Sequence, residues 1–184
     1  VQEYGTLALL HSPPQGMEPL RRAISDYLNL ERGAHATLER VLVLTSSQQA
    51  LTLCATALFD AGERIYIEDP FYYGARKAFD AAGLACVPVP LDADGMRVEH
   101  LRDAMQPAKA VFLTPSHQFP TGATLALDRR LAVIEWVRQH QAWIIEGDYD
   151  NESTACVQRL DPHERTIDIG TSPSRCFPAC ALAT

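Results

Sequence analysis

Three polar clusters and a lone histidine in this 184-residue chain carry side chains suited to holding a small, planar, anionic molecule. Thr45-Ser46-Ser47-Gln48 follows an apolar run and opens a helix-period segment. The free N–H groups and positive dipole end of such a helix start favour an anion such as phosphate. The plainer reading is that Ser46 or Ser47 caps the helix. Glu68-Asp69-Pro70-Phe71-Tyr72-Tyr73-Gly74 offers aromatic faces that stack on a planar ring, although a lone Tyr72 is more commonly a packing residue. Glu146-Gly147-Asp148-Tyr149-Asp150 supplies carboxylates and a phenol able to fix a heteroaromatic ligand, while acidic loops are commonly just solvated. His117 is a lone histidine of the kind more often satisfied or exposed than ligating.

The elements that must position these clusters alternate along the chain. Val41-Leu42-Val43-Leu44, Arg64 to Ile67, Ala85 to Val89, Ala110 to Leu113, Trp143 to Glu146 and Thr166 to Ile169 are brief, mostly apolar runs. They fit six strands covered on both faces. Between them, Gln48 to Phe59, Gly74 to Ala82, Val98 to Met105 and Asp128 to His140 have helical spacing. In the last, Leu131, Ile134 and Val137 form an apolar stripe, with Asp128 as N-cap. Pro19 to Asn29 predicts an earlier helix with Leu20, Ile24 and Leu28 on one face. Strand and helix alternation implies crossover connections, so the fold class is α/β: three αβα layers around a mainly parallel sheet. Such sheets bind ligands at the carboxyl ends of their strands, where most of the polar clusters fall.

Composition narrows the functions. A net charge of -7 argues against a broad nucleic-acid-binding surface. Five cysteines, an odd number without a Cys-x-x-Cys pair, suit a reducing cytosol better than a disulfide framework. Neither a leader pattern nor a membrane-length apolar run is present in the sequence, and the expectation is a cytoplasmic protein with no membrane partner. Cys176, Cys180 and His163 lack a second matching ligand pair, so no metal site is expected. No Gly-x-Gly-x-x-Gly follows the first strand, which removes a dinucleotide fold. After Tyr149 the periodicity fades, and the end at Cys176 to Thr184 has no covering helix. The expectation is an incomplete sheet edge in one partial domain over 1–184, part of a larger protein.

Taken in order, Gly16 with Pro19-Leu20-Arg21, Thr45 to Leu51, Glu68-Asp69-Pro70, Thr114-Pro115-Ser116-His117-Gln118-Phe119-Pro120-Thr121-Gly122 and Trp143 to Glu146 resemble class I and II aminotransferases of fold type I. The sequence is most similar to the aminotransferase-like domain of MocR-type GntR regulators, in which that domain follows a DNA-binding winged helix. The resemblance covers about residues 15 to 178. It implies the large domain of that fold, with winged helix and C-terminal small domain absent, a homodimeric ancestor, and pyridoxal 5'-phosphate as cofactor.

Site roles follow the resemblance residue by residue. Ser46, Ser47 and Gln48 resemble the phosphate cradle, with Ser46 where the family usually has glycine. Tyr72 matches the aromatic that stacks on the pyridine ring, and Pro120-Thr121-Gly122 ends the Asn-Pro-Thr-Gly turn with Phe119 at the asparagine position. His117 and Thr171 fall among the cofactor-binding positions, and Tyr149 resembles the phenol that meets the ring hydroxyl. The family's Gly-Thr-Phe-Ser-Lys-x-x-Phe-Pro appears as Gly170 to Pro178, with Ser174 in the lysine's place. The pyridine-nitrogen carboxylate falls on Gly147, with Asp148 a possible substitute, and the downstream arginine on Ala181. The chain has only two lysines, Lys77 and Lys109, and Arg175 is no replacement because its guanidinium stays protonated. The expected function is therefore a pyridoxal-phosphate-binding domain, with weak or non-covalent binding and no transamination. The alternatives are an effector-sensing and dimerising module of a MocR-type regulator, taking an amino-acid-like molecule, or a decayed gene product.

Overall fold

Pleating sends neighbouring strand residues to opposite faces of a sheet, and the buried side chains sort accordingly. The computed structural model describes residues 13–101, 108–148, 156–171 and 180–183. On one face Ile65, Ile67, Ala110, Phe112, Ile145, Ile167 and Ile169 form a core with helix residues Leu51, Cys54, Ala75 and Phe79. On the other, Tyr66, Val111, Leu113 and Ile144 meet Val133, Trp136, Val137 and Val157. The alternation is the reason a single buried run such as Ala110-Val111-Phe112-Leu113 serves two cores at once.

The elements in order are α1 (Glu18–Tyr27), a π-helical turn (Leu28–Arg32), β1 (Val41–Leu44), α2 (Ser47–Leu58), β2 (Arg64–Asp69), α3 (Tyr73–Ala81), β3 (Ala85–Asp92) and β4 (Gly95–Met96). There follow a 3-10 turn (Val98–Leu101), β5 (Ala110–Leu113), α4 (Leu127–His140), β6 (Trp143–Asp148), α5 (Val157–Leu160), β7 (Thr166–Thr171) and β8 (Cys180–Ala183). They build one eight-stranded sheet in the order β1-β8-β7-β6-β5-β2-β3-β4. β3, β2, β5, β6 and β7 are parallel neighbours. β8 runs antiparallel to both β7 and β1, so β1 points the same way as the parallel set. The mainly parallel αβα class expected from the sequence is the class observed.

Several local expectations are corrected. There are eight strands among the described residues rather than six. The Cys180–Ala183 segment has little intrinsic strand preference, yet it fills an interior place in the sheet because β1 and β7 both offer ladder partners. The chain end therefore does not form the exposed edge anticipated from its sequence. The helix expected over Val98 to Met105 is a 3-10 turn at Val98–Leu101, with its remainder outside the described residues. Asp128 lies in the first turn of α4, whose N-cap is Ala126 without a side-chain cap. The start of α4 is held by its arginines instead: Arg129 forms a fork on Asp92 at 2.6 and 2.8 Å, and Arg130 donates to the carbonyls of Leu125 and Pro115. Leu131 is exposed, so the buried stripe of α4 runs through Val133, Ile134, Trp136 and Val137. Leu20 is likewise partly exposed on α1, while Leu28 is buried.

Beneath β1 the turn after α1 is fixed by a buried ion pair. Arg32 Nη1 donates to Asp168 Oδ2 at 3.1 Å, with the two side chains 7% and 2% exposed. The pair joins the first helical layer to β7, residues 136 positions apart. Among the described residues, no helix is long and apolar enough to cross a membrane.

Candidate functional site

The carboxyl ends of β1, β2, β5, β6 and β7 lie along one edge of the sheet. Ser46 to Gln48, Tyr72, His117, Asp148 and Thr171 all follow or end these strands. Tyr149 and Ser174 lie outside the described residues. Asp148 closes β6 opposite Gly170, and Thr171 closes β7 opposite Cys180. Ala181 is a backbone partner of both Val43 and Gly170 inside the sheet.

At the end of β1, Ser46 has extended backbone angles and its hydroxyl accepts from the Gln49 N–H at 3.2 Å, so it is the N-cap of α2. Gln49 reaches back and its Oε1 accepts from both the N–H and the hydroxyl of Thr45, each at 2.9 Å. This reciprocal cap leaves the N–H groups of Ser47 and Gln48 in the orphan positions of the first turn. Capping and anion binding are thus compatible at this turn, because Ser46 consumes one donor and leaves two.

After β2, Tyr72 is the N-cap residue of α3 and its ring meets Phe119 edge-on, with centroids 5.9 Å apart. A Cβ on Gly74 would stand 2.5 Å from Tyr72 Cζ, so glycine here is what lets the ring lie back over the start of α3. After β5, the chain reverses through Gln118 to Gly122, where Gly122 has φ +76° and its N–H donates to the Gln118 carbonyl at 2.6 Å. His117 is exposed beside this reversal, its Cε1 near the place a Gly122 Cβ would take.

Beneath both loops is a buried polar knot that the sequence motifs alone did not single out. Glu68, the penultimate residue of β2, is 2% exposed. Its Oε2 accepts from the Thr114 hydroxyl at 2.6 Å, the Thr114 N–H at 3.3 Å and Gln118 Nε2 at 3.4 Å. Gln118 Nε2 also donates to the carbonyls of Pro70 and Phe119 at 2.8 and 2.7 Å. Gln118 Oε1 accepts from the Thr121 N–H at 3.1 Å and hydroxyl at 2.6 Å. Burial pushes the Glu68 carboxyl up to about 7, against the opposing hydrogen bonds from Thr114 and Gln118. The available signal was a charged residue ending a run of buried β residues, where a carboxylate needs partners from an adjacent strand.

Other reactive groups take no part in this hydrogen-bond network. Glu146 is fully buried and its two oxygens accept from the N–H groups of Val157 and Gln158, so it caps α5 rather than standing in a solvated acidic loop. Burial raises the thiols of Cys156 and Cys86 to about 12 and about 11, which leaves neither as a thiolate at neutral pH. Lys77 sits in α3 with its ammonium 5.2 Å from the Tyr73 ring centroid, and that hydrogen-bonded contact raises its pKa. Lys109 is exposed just before β5, at the amino end of the strand and so on the side of the sheet opposite the candidate site.

A mainly parallel αβα sheet with an anion-ready helix start, a folded-back tyrosine and a glycine reversal along one edge defines the large-domain architecture of fold type I pyridoxal-phosphate enzymes. The chain belongs to the aminotransferase class I and II family, whose model matches residues 5–146. It is 35% identical over 174 residues to the probable rhizopine catabolism regulatory protein MocR of Rhizobium meliloti, covering 91% of this chain and 35% of that protein. It is 34% identical over 176 residues to the HTH-type pyridoxine biosynthesis transcriptional regulator PdxR of Corynebacterium glutamicum, covering 93% and 38%. An archaeal alanine:glyoxylate aminotransferase superposes with a TM-score of 0.88 at 26% identity, covering 100% of this chain and 49% of that one. The chain thus spans a little over a third of the length of these curated relatives.

The residues fit the family's cofactor at its phosphate and at its ring face, through the orphan N–H groups of α2 and the Tyr72 ring. They do not offer a carboxylate at Gly147, a strand residue without a side chain.

Proposed function

We propose that this domain binds pyridoxal 5'-phosphate, or a molecule of the same anionic, planar kind, without a covalent lysine anchor, and that it serves as the effector-sensing module of a MocR-type regulator. When bound, the cofactor supplies an aldehyde and an electron-accepting ring. The Ser47 and Gln48 N–H groups hold the phosphate, and Tyr72, backed by Phe119, covers one ring face. His117, Asp148, Tyr149 and Thr171 are assigned to the same ligand by the family resemblance.

The observation that carries this reading is that neither of the chain's two lysines stands at the position the resemblance gives the family's lysine. The Tyr72–Phe119 ring pair and the capped start of α2 support it, while Lys109 is at the amino end of β5 and Lys77 is a protonated helix residue against Tyr73. Transamination needs an unprotonated lysine amine at the cofactor aldehyde, and the family's lysine position is Ser174. Relatives that are transcriptional regulators support the sensing role over the enzymatic one. In that setting a homodimer and a DNA-binding segment belong to the full-length protein, and this acidic segment makes no nucleic-acid contact itself.

Equilibrium dialysis against pyridoxal 5'-phosphate tests the binding edge. Saturable binding is expected, weakened several-fold by Tyr72→Ala, in line with about 0.5–1.5 kcal/mol for an aromatic stack. Equal binding by the variant, or none by the parent, overturns the proposal. A decayed product predicts loss of cooperative unfolding, which a thermal melt of the same sample reads.

A further inference from the structure

We propose that Gln118 is a positioning residue: its buried amide staples the Tyr72 loop to the 118–122 turn and so fixes the Tyr72–Phe119 ring pair that covers one face of a planar ligand. The purpose of the staple depends on the binding reading above, and its existence on hydrogen-bond geometry alone.

Register pairing between β2 and β5 ends at Ile67 and Phe112, and past that point Gln118 connects the two loops. Gln118 is 1% exposed, so its amide N–H groups and oxygen need partners inside the protein. Nε2 donates to the Pro70 carbonyl at 2.8 Å on one loop and to the Phe119 carbonyl at 2.7 Å on the other. Its contact with Glu68 Oε2 is longer, at 3.4 Å. Oε1 accepts from the Thr121 N–H and hydroxyl. The reverse amide orientation would set an oxygen against two carbonyls, so these neighbours fix which end is nitrogen. Pro70 has no N–H, which leaves its carbonyl as its main-chain means of attachment. Phe119 is 55% exposed, so burial does not place its ring and the course of its backbone must. Tyr72, two residues past Pro70, meets that ring edge-on at 5.9 Å. The Phe71 ring, edge-on to Phe112 at 5.7 Å, roots the first loop in the sheet core, and Gln118 adds the tie to the turn. Being buried, Gln118 acts on a ligand through the groups it places rather than by contact.

A double-mutant cycle reads this indirect action. Affinity for pyridoxal 5'-phosphate is measured by equilibrium dialysis for the parent, Tyr72→Ala, Gln118→Met and the double variant. Methionine keeps the length of the side chain and removes its hydrogen bonds. In the parent background Tyr72→Ala should weaken binding roughly two- to tenfold. In the Gln118→Met background the further loss should be under about twofold, because the ring is no longer held in place. An undiminished Tyr72→Ala penalty in that background, or parent-like binding by Gln118→Met, overturns the proposal. Amide hydrogen exchange, read by mass spectrometry, supplies a measurement without ligand. Peptides over 69–75 and 116–124 should exchange several-fold faster in Gln118→Met, with α4 peptides unchanged. Parent-like exchange in those two peptides overturns the staple. If Gln118→Met does not fold, Thr121→Val takes its place in both measurements. Thr121 is exposed, and this change removes the 2.6 Å bond that holds the amide oxygen. Smaller shifts in the same directions are then expected, and their absence overturns the proposal. Absence of pyridoxal 5'-phosphate binding by the parent, with faster exchange in the variant, refutes the cofactor reading and leaves the staple standing.

Discussion

Ser46 and Glu68 illustrate how a side chain's role is set by what surrounds it. Ser46 spends its hydroxyl on the Gln49 N–H, and Ser46→Ala should cost about 1 kcal/mol, measurable as a lower urea midpoint. Glu68 has its pKa raised on folding, so its contribution to stability is fully present below 4.5 and is lost as pH rises through about 7. Glu68→Gln lacks this dependence. In paired urea titrations the variant should gain on the parent as pH is raised through that window, and parallel curves would contradict the assignment. At this scale the sequence was informative about residue type and less so about partners. Glu68 was visible within Glu68-Asp69-Pro70, but its pairing with Thr114, 46 positions away, depends on β2 and β5 being neighbours. Glu146 was misjudged for the same reason: its partners, Val157 and Gln158, come from a helix whose period is too short to stand out.

Elements were most legible where local pattern and burial agree. Ala110–Leu113 has the same limits in sequence and structure, and β2, β6 and β7 differ only at their carboxyl ends, where polar site residues extend the strand. β8 was illegible because its strand form comes from the slot between β1 and β7 rather than from Cys180-Ala181-Leu182-Ala183. The start of α4 was misplaced because Arg129 and Arg130, not Asp128, tie it down. The approach of Tyr72 to Gly74 gives an element-scale test. Gly74→Ala places a methyl 2.5 Å from the ring and should displace Tyr72 from the head of α3. The expected cost is about 1–3 kcal/mol of stability, with weaker ligand binding. Unchanged melting and binding would mean that the ring is not held there.

For the molecule as a whole, the fold depends on contacts that bring distant segments under one sheet. The Arg32–Asp168 pair is the most buried ionic example among the described residues, and Arg32→Met removes the guanidinium from this buried carboxylate. Loss of about 3–5 kcal/mol is expected, read by denaturant unfolding. A loss under about 1 kcal/mol would show that water reaches the carboxylate. The αβα class and the family were readable because several spaced motifs fall at strand ends in order, whereas the pairing of the last segment into the sheet was not. The family accounts for the scaffold, and the placement of the two lysines accounts for the proposed absence of transamination. The most direct test is to saturate the protein with pyridoxal 5'-phosphate, reduce with borohydride and map the peptides by mass spectrometry. Saturable binding with no stoichiometric adduct at Lys77 or Lys109 is the expected result. A stoichiometric adduct at either lysine, accompanied by turnover of an amino acid, would contradict it.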